Sequence, residues 1–182
     1  MTVGDIKANL LPILEDGFWA EQALDKENNQ FTRRSYIRSV FAIIEGCVWV
    51  LKQTILHAPV RKGRIKKLAL AEYALLSEKA YELKNNGAIC EQKKYLKLQD
   101  NIRFTFGLIN KYFKSGCELG VGTKSWDNFL KAQKIRDRIT HPKGPDEIEI
   151  SDSDLKICKS TSSWFNKLIL DFIDSLTPNA QK

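Results

Sequence analysis

The segment KIRDRITHPK, Lys134 to Lys143, gathers Arg136, Asp137, Arg138 and His141 and then places Pro142 after the histidine. These residue types suit RNA phosphodiester cleavage. A histidine near its neutral pKa can take the proton from a ribose 2′-hydroxyl. An arginine can neutralise the charge of the phosphorane with paired donors. No metal ion or cofactor is needed for either step. Arg136 lies five residues before His141, and on an ideal helix the two side chains would point roughly 140° apart. They reach one point only if Pro142 forces His141 out of the helix, which the restriction on the residue before proline favours. Asp137 lies four residues before His141, close enough to hold the imidazole in one tautomer if the helix persists that far. Arg138 points elsewhere and is placed for a phosphate contact.

In-line cleavage wants both a base and an acid, and the chain has two histidines. Either His57 approaches His141, or a second subunit supplies its own His141 across a two-fold axis. A charged helix end with a histidine near the negative end of the dipole is also a common stabilising arrangement, so spacing alone leaves a structural role open.

Long proline-free stretches must position these residues. Residues 4–26 predict one or two short helices around Pro12, with Leu10, Leu11, Ile13, Leu14, Phe18, Trp19, Ala23 and Leu24 at helical spacing. From Phe31 no proline occurs until Pro59, and the stretch is apolar over much of its circumference, which predicts a helix at the centre of a bundle. Its polar stripe, Arg34, Arg38, Glu45 and Lys52, is either a solvent face or the lining of a polar cleft; Arg38 and Glu45 are the cleft-lining candidates. Residues 66–85 predict a helix ending at Asn85-Asn86-Gly87. A second is expected over about 92–115, the pair forming a helical insertion. Gly116 to Ser125 lacks the spacing of a phosphate-binding loop and follows a helix rather than a strand. It reads as a C-cap and connection, with Thr123 or Ser125 capping the next helix, Trp126 to about Thr140. Residues 143–150 read as a loop with at most a short extended piece at 147–150. Ser151 with Asp154 resembles a capping box opening the last helix, which runs to about Leu176.

A net charge of +7 and a sequence pI of about 9.2 favour anionic partners, nucleic acid first among them. The turn PVRKGRIKK concentrates Arg61, Lys62, Arg64, Lys66 and Lys67, which are candidates to track an RNA backbone. Cys47, Cys90, Cys117 and Cys158 are widely spaced, with no C-x-x-C, and predict reduced, mostly buried thiols rather than a disulfide frame or zinc site. The opening MTVGDIKANL has no basic segment followed by an apolar core, so no signal peptide is expected. The run from Val40 to Leu51 is too short for a bilayer and contains Glu45. The expectation is a cytoplasmic protein with no membrane association, all-α and forming one domain over residues 1–182.

The string Arg136-Asp137-Arg138-Ile139-Thr140-His141 at a helix end resembles the R-x(4–6)-H motif of the HEPN superfamily, helical domains of prokaryotic toxin–antitoxin and phage-defence systems. In that motif a polar residue often follows the arginine, as Asp137 does here. The long helix before it and the amphipathic helix after it match the family layout over a core of about residues 30–176, with residues 66–115 as an addition. The resemblance implies an up-and-down four-helix bundle with additional helices. It also implies a homodimer that brings two motifs together, and metal-independent endoribonuclease activity with Arg136 and His141 catalytic and Asp137 supporting them. An antitoxin or other regulatory protein is the further partner it implies. Many relatives have lost catalysis, so the alternative is a non-catalytic helical module binding nucleic acid, a nucleotide or a partner protein.

Overall fold

A computed structural model describes residues 3–57 and 68–176. The described residues form six α-helices and one small antiparallel hairpin. In chain order these are α1 (Val3–Lys26), α2 (Gln30–His57), α3 (Leu70–Leu76), β1 (Lys79–Leu83), β2 (Ile89–Lys93), α4 (Leu98–Phe113), α5 (Lys124–Thr140) and α6 (Asp152–Ser175), with a 3-10 turn at Pro145–Ile148. Helix accounts for 73% of the described residues.

The apolar circumference of α2 explains its place: α1, α4, α5 and α6 all pack against it. Ile37, Ile44, Cys47 and Leu51 are fully buried. An aromatic layer of Phe41, Phe129, Trp126, Trp164, Phe165 and Phe106 joins α2, α4, α5 and α6. By length and hydropathy α2 as a whole would suffice for a membrane span, but 61% of its most apolar window is buried inside the protein.

Helix α1 is continuous through Pro12, not split there. It lies along α2 by one seam, Ile6, Leu10, Ile13, Gly17, Ala20 and Leu24, at alternating steps of four and three. That packing outweighs the hydrogen bond which Pro12 cannot donate. The approach is close: a Cβ on Gly17 would sit 2.2 Å from Ile43 Cδ1. Leu11, Phe18 and Trp19 fall off the seam and are exposed.

The helix expected over 66–85 is the main correction. Only Leu70–Leu76 is helical within its described part. The chain then passes through Glu78 at φ 55° into β1, and Leu83 pairs with Ile89 across a turn at Asn85-Asn86-Gly87. Gly87 adopts φ 80°, and Lys84 N–H donates to the Ala88 carbonyl at 2.9 Å. An Asn-Gly pair is a hairpin signal as much as a helix stop, and here the strand partner decides. The following helix starts at Leu98 rather than near 92 because residues 89–93 form β2. The insertion is therefore partly β, and the chain mostly helical rather than all-α.

The α5–α6 connection is a 3-10 turn rather than an extended piece. The Ser151 hydroxyl accepts from Asp154 N–H, and the Asp154 carboxylate accepts from Ser151 N–H, both at 3.1 Å, so Asp serves in the capping box. Gln30 exchanges two hydrogen bonds with the backbone of Ile150, at 3.0 and 2.8 Å, and Arg33 donates to the same carbonyl at 2.9 Å. This clasp fixes the start of α6 against the start of α2.

Candidate functional site at the end of helix α5

The buried face of α5 is Trp126, Phe129, Ala132, Ile135 and Ile139. Arg136, next after Ile135, therefore stands at the rim of the core. Its guanidinium lies over the Phe41 ring, 5.1 Å from the centroid. Nη2 donates to Glu45 Oε1 at 2.8 Å, and Nη1 lies 3.2 Å from the Asp137 carboxylate. The buried Nε has no hydrogen-bond partner. The side chain keeps 23% of its exposure, so Arg136 is only partly withdrawn from solvent.

His141 is the C-cap of α5, with φ −128° and ψ 59° outside the helical region, as Pro142 requires. Its N–H donates to the Asp137 carbonyl at 3.0 Å. The residue is exposed, and no hydrogen bond or ion pair engages its ring among the described residues. Asp137 thus meets His141 through its backbone while its carboxylate pairs with Arg136. The carboxylate–imidazole contact expected from the spacing of four is absent among the described hydrogen bonds.

Two further arginines order the same end of α5. Arg38 donates from Nη2 to the Ile139 carbonyl at 3.1 Å, satisfying a group that the helix end leaves without a partner. Arg138 pairs with Asp154 at 2.9 Å and ties α5 to the cap of α6. The polar stripe of α2 divides accordingly. Arg38 and Glu45 reach the end of α5, whereas Lys52 is buried and bonds Glu78 at 2.9 Å. It is neither a simple solvent face nor one continuous cleft.

His57 closes α2, nineteen residues past Arg38, so about 28 Å of helix separates them. Since Arg38 holds Ile139, His57 and His141 do not meet within one chain, which removes the first source of a second histidine. The basic residues Arg61, Lys62, Arg64, Lys66 and Lys67 lie outside the described residues. Phe41 beneath Arg136 was missed from sequence. It lies three residues after Arg38 and four before Glu45, so their shared helix face was a usable signal.

Burial pushes the Cys47 and Cys158 thiols up to about 12, so neither is a thiolate nucleophile at neutral pH. The described residues contain no group of three or more His, Cys, Asp or Glu suited to holding a metal ion. Comparison with protein-family models, with curated proteins and with solved structures finds no match to this chain.

Proposed function

We propose that the chain is a HEPN-type endoribonuclease that acts without a metal ion, through a composite Arg/His site completed in a homodimer. One observation carries the reading. The end of α5 presents an exposed imidazole with its ring uncommitted, and five residues earlier a partly exposed guanidinium held by an aromatic face and two carboxylates. Preorganised donors of this kind act where charge develops in a transition state.

In the reaction, a ribose 2′-oxygen attacks the adjacent phosphorus and the bond to the 5′-oxygen breaks. His141 of one subunit takes the 2′-hydroxyl proton, and His141 of the other gives a proton to the departing 5′-oxygen. Arg136 stabilises the phosphorane, and Asp137 acts through Arg136 as a positioning residue. The products are a 2′,3′-cyclic phosphate and a 5′-hydroxyl. The bundle is HEPN-like in this reading, the cellular setting is toxin–antitoxin or phage defence, and the compartment is the cytoplasm. The test is cleavage of a mixed RNA pool in EDTA by wild type and His141→Ala, with end-group analysis. Cleavage by wild type alone, leaving cyclic phosphate ends, supports the proposal; equal cleavage by both sinks it.

A second reading, a helical module that binds RNA or a partner without turnover, is favoured by the saturation of Arg136. Glu45 and Asp137 already neutralise it, so a phosphate must compete with two carboxylates. Binding without cleavage, steeply weakened by salt, is its signature.

A further inference from the structure

On the side of α2 away from Arg136, α1 and α6 flank a groove of about 340 Å³. Its floor is Tyr36, Val40 and Ile43 of α2, and its walls include Phe18 of α1 and Leu170 of α6. At 3.6 residues per turn, the floor residues point roughly 170° away from Arg38, Phe41 and Glu45. An occupant of this groove therefore stays clear of the site at the end of α5.

The groove opens onto apolar side chains that the fold leaves uncovered. Phe18 is 55% exposed, Trp19 66%, Leu11 58% and Leu170 59%. Contiguous exposed apolar surface with a polar rim marks an interaction site. Helical walls on either side of an apolar floor suit a helix laid between α1 and α6.

Charge identifies the occupant. Helix α1 carries five acids against Lys7 and Lys26, a net −3 in a chain of +7. Glu21 lines the groove, and Glu15 stands four residues after Leu11 and three before Phe18, on the same side of the helix. One cation of this chain already uses the rim. Lys159 Nζ lies 3.7 Å from Glu21, 3.3 Å from Asp25 and 5.9 Å from the centre of the Tyr36 ring. An acidic rim repels RNA. It also opposes a second copy, because two-fold packing would set one acidic α1 against another.

We propose that this groove docks an amphipathic helix of a partner protein, its apolar face seated between Phe18 and Leu170 and its flanking lysines or arginines paired with the acids of α1. The site is separate from the end of α5 and stands whether or not the chain cleaves RNA.

The test is an NMR titration of the full chain with a synthetic helical peptide of leucine and lysine, and with its leucine–glutamate counterpart. The lysine peptide is expected to shift resonances of α1, α6 and the floor of α2. Phe18→Ser or Leu170→Ser each weakens its binding by about tenfold, the cost of losing one buried apolar side chain. Both positions are more than half exposed, so both variants keep the wild-type circular dichroism and spectrum. Equal binding of the two peptides, shifts outside the groove, or indifference to both substitutions would overturn the proposal. So would an RNA oligomer that shifts the same resonances. Sedimentation supplies the remaining arm: a wild-type dimer that dissociates on Phe18→Ser would give the face to a second copy instead.

Discussion

Two of the charged side chains that helix α2 sends to other elements, Lys52 and Glu45, make contacts that differ in kind. Lys52 keeps 2% of its side-chain exposure and bonds Glu78, which keeps 37%. Glu45 keeps 52% and bonds Arg136, which keeps 23% and has one buried donor unsatisfied. The first pair is a closed peg. It fixes the left-handed residue that starts the hairpin insertion, and Glu78 also accepts from Lys94 N–H at 2.7 Å through its carbonyl. The second pair is open, being half exposed at Glu45, and its arginine lies on the helix whose end carries an uncommitted imidazole. Ion pairing by itself marks neither a site nor a strut; exposure and unmet hydrogen bonds separate the two.

The largest expected effect falls on the open pair's neighbour. His141→Ala should keep the fold and lower RNA cleavage by about a thousandfold, within the range for a lost general acid–base. Single-turnover rates on wild type and variant decide this, and a loss below tenfold would place the histidine outside the chemistry. Next comes the closed pair. Glu78→Ala leaves a buried ammonium without its partner and should cost about 2–3 kcal/mol, reduced from the fully buried case because Glu78 reaches water. Lys52→Met removes the charge that needs a partner and should cost less. Urea midpoints of the two variants test this order, and its reversal would make the pair a surface contact.

The open pair should be nearly neutral in stability. Glu45→Gln is expected to change unfolding by less than ~1 kcal/mol, as half-exposed pairs do, while tightening RNA binding because one competitor for Arg136 is gone. Fluorescence anisotropy against salt reads this out, and weaker binding would make Glu45 a support of the RNA contact rather than a competitor. The smallest effect concerns Glu72, which ties α3 to Lys111 and Tyr112 of α4. Hydrogen bonds from Lys111, then Tyr112, hold its carboxyl down at about 2. A carboxyl lowered on folding stabilises above its unfolded pKa, and that contribution is lost as pH falls from about 4.5 towards 2. Glu72→Gln should flatten this part of the stability profile; an unchanged acid limb would show that the pair does not matter to it.

The helices that carry the motif were legible because their signals are local. Pro142 ends α5, Ser151 and Asp154 cap α6, and the apolar circumference of α2 places it centrally. The hairpin was not, because KAYEL and ICEQK are strands only by pairing with each other, and a seven-residue helix before them continues the helical spacing. The site was half legible. The string from Arg136 to His141 stood in the sequence, but its environment did not. Glu45 and Phe41 lie more than ninety residues before Arg136, and only the packing of α5 on α2 joins them. The spacing of Asp137 and His141 pointed to a carboxylate–imidazole contact, but the carboxylate turned to its nearer cation. Spacing states which groups can meet, and competition among partners settles which do.

The clasp of Gln30 and Arg33 on Ile150 has a kinetic side. It joins residues 120 apart in sequence through Gln30 and 117 apart through Arg33. Closing so long a loop costs entropy that grows as the logarithm of its length, so this contact is expected to form later than the short-range packing of α1 on α2 and of α5 on α6. A contact made late is largely absent from the folding barrier, and weakening it acts chiefly on the rate of opening. Gln30→Ala is therefore expected to speed unfolding more than it slows folding.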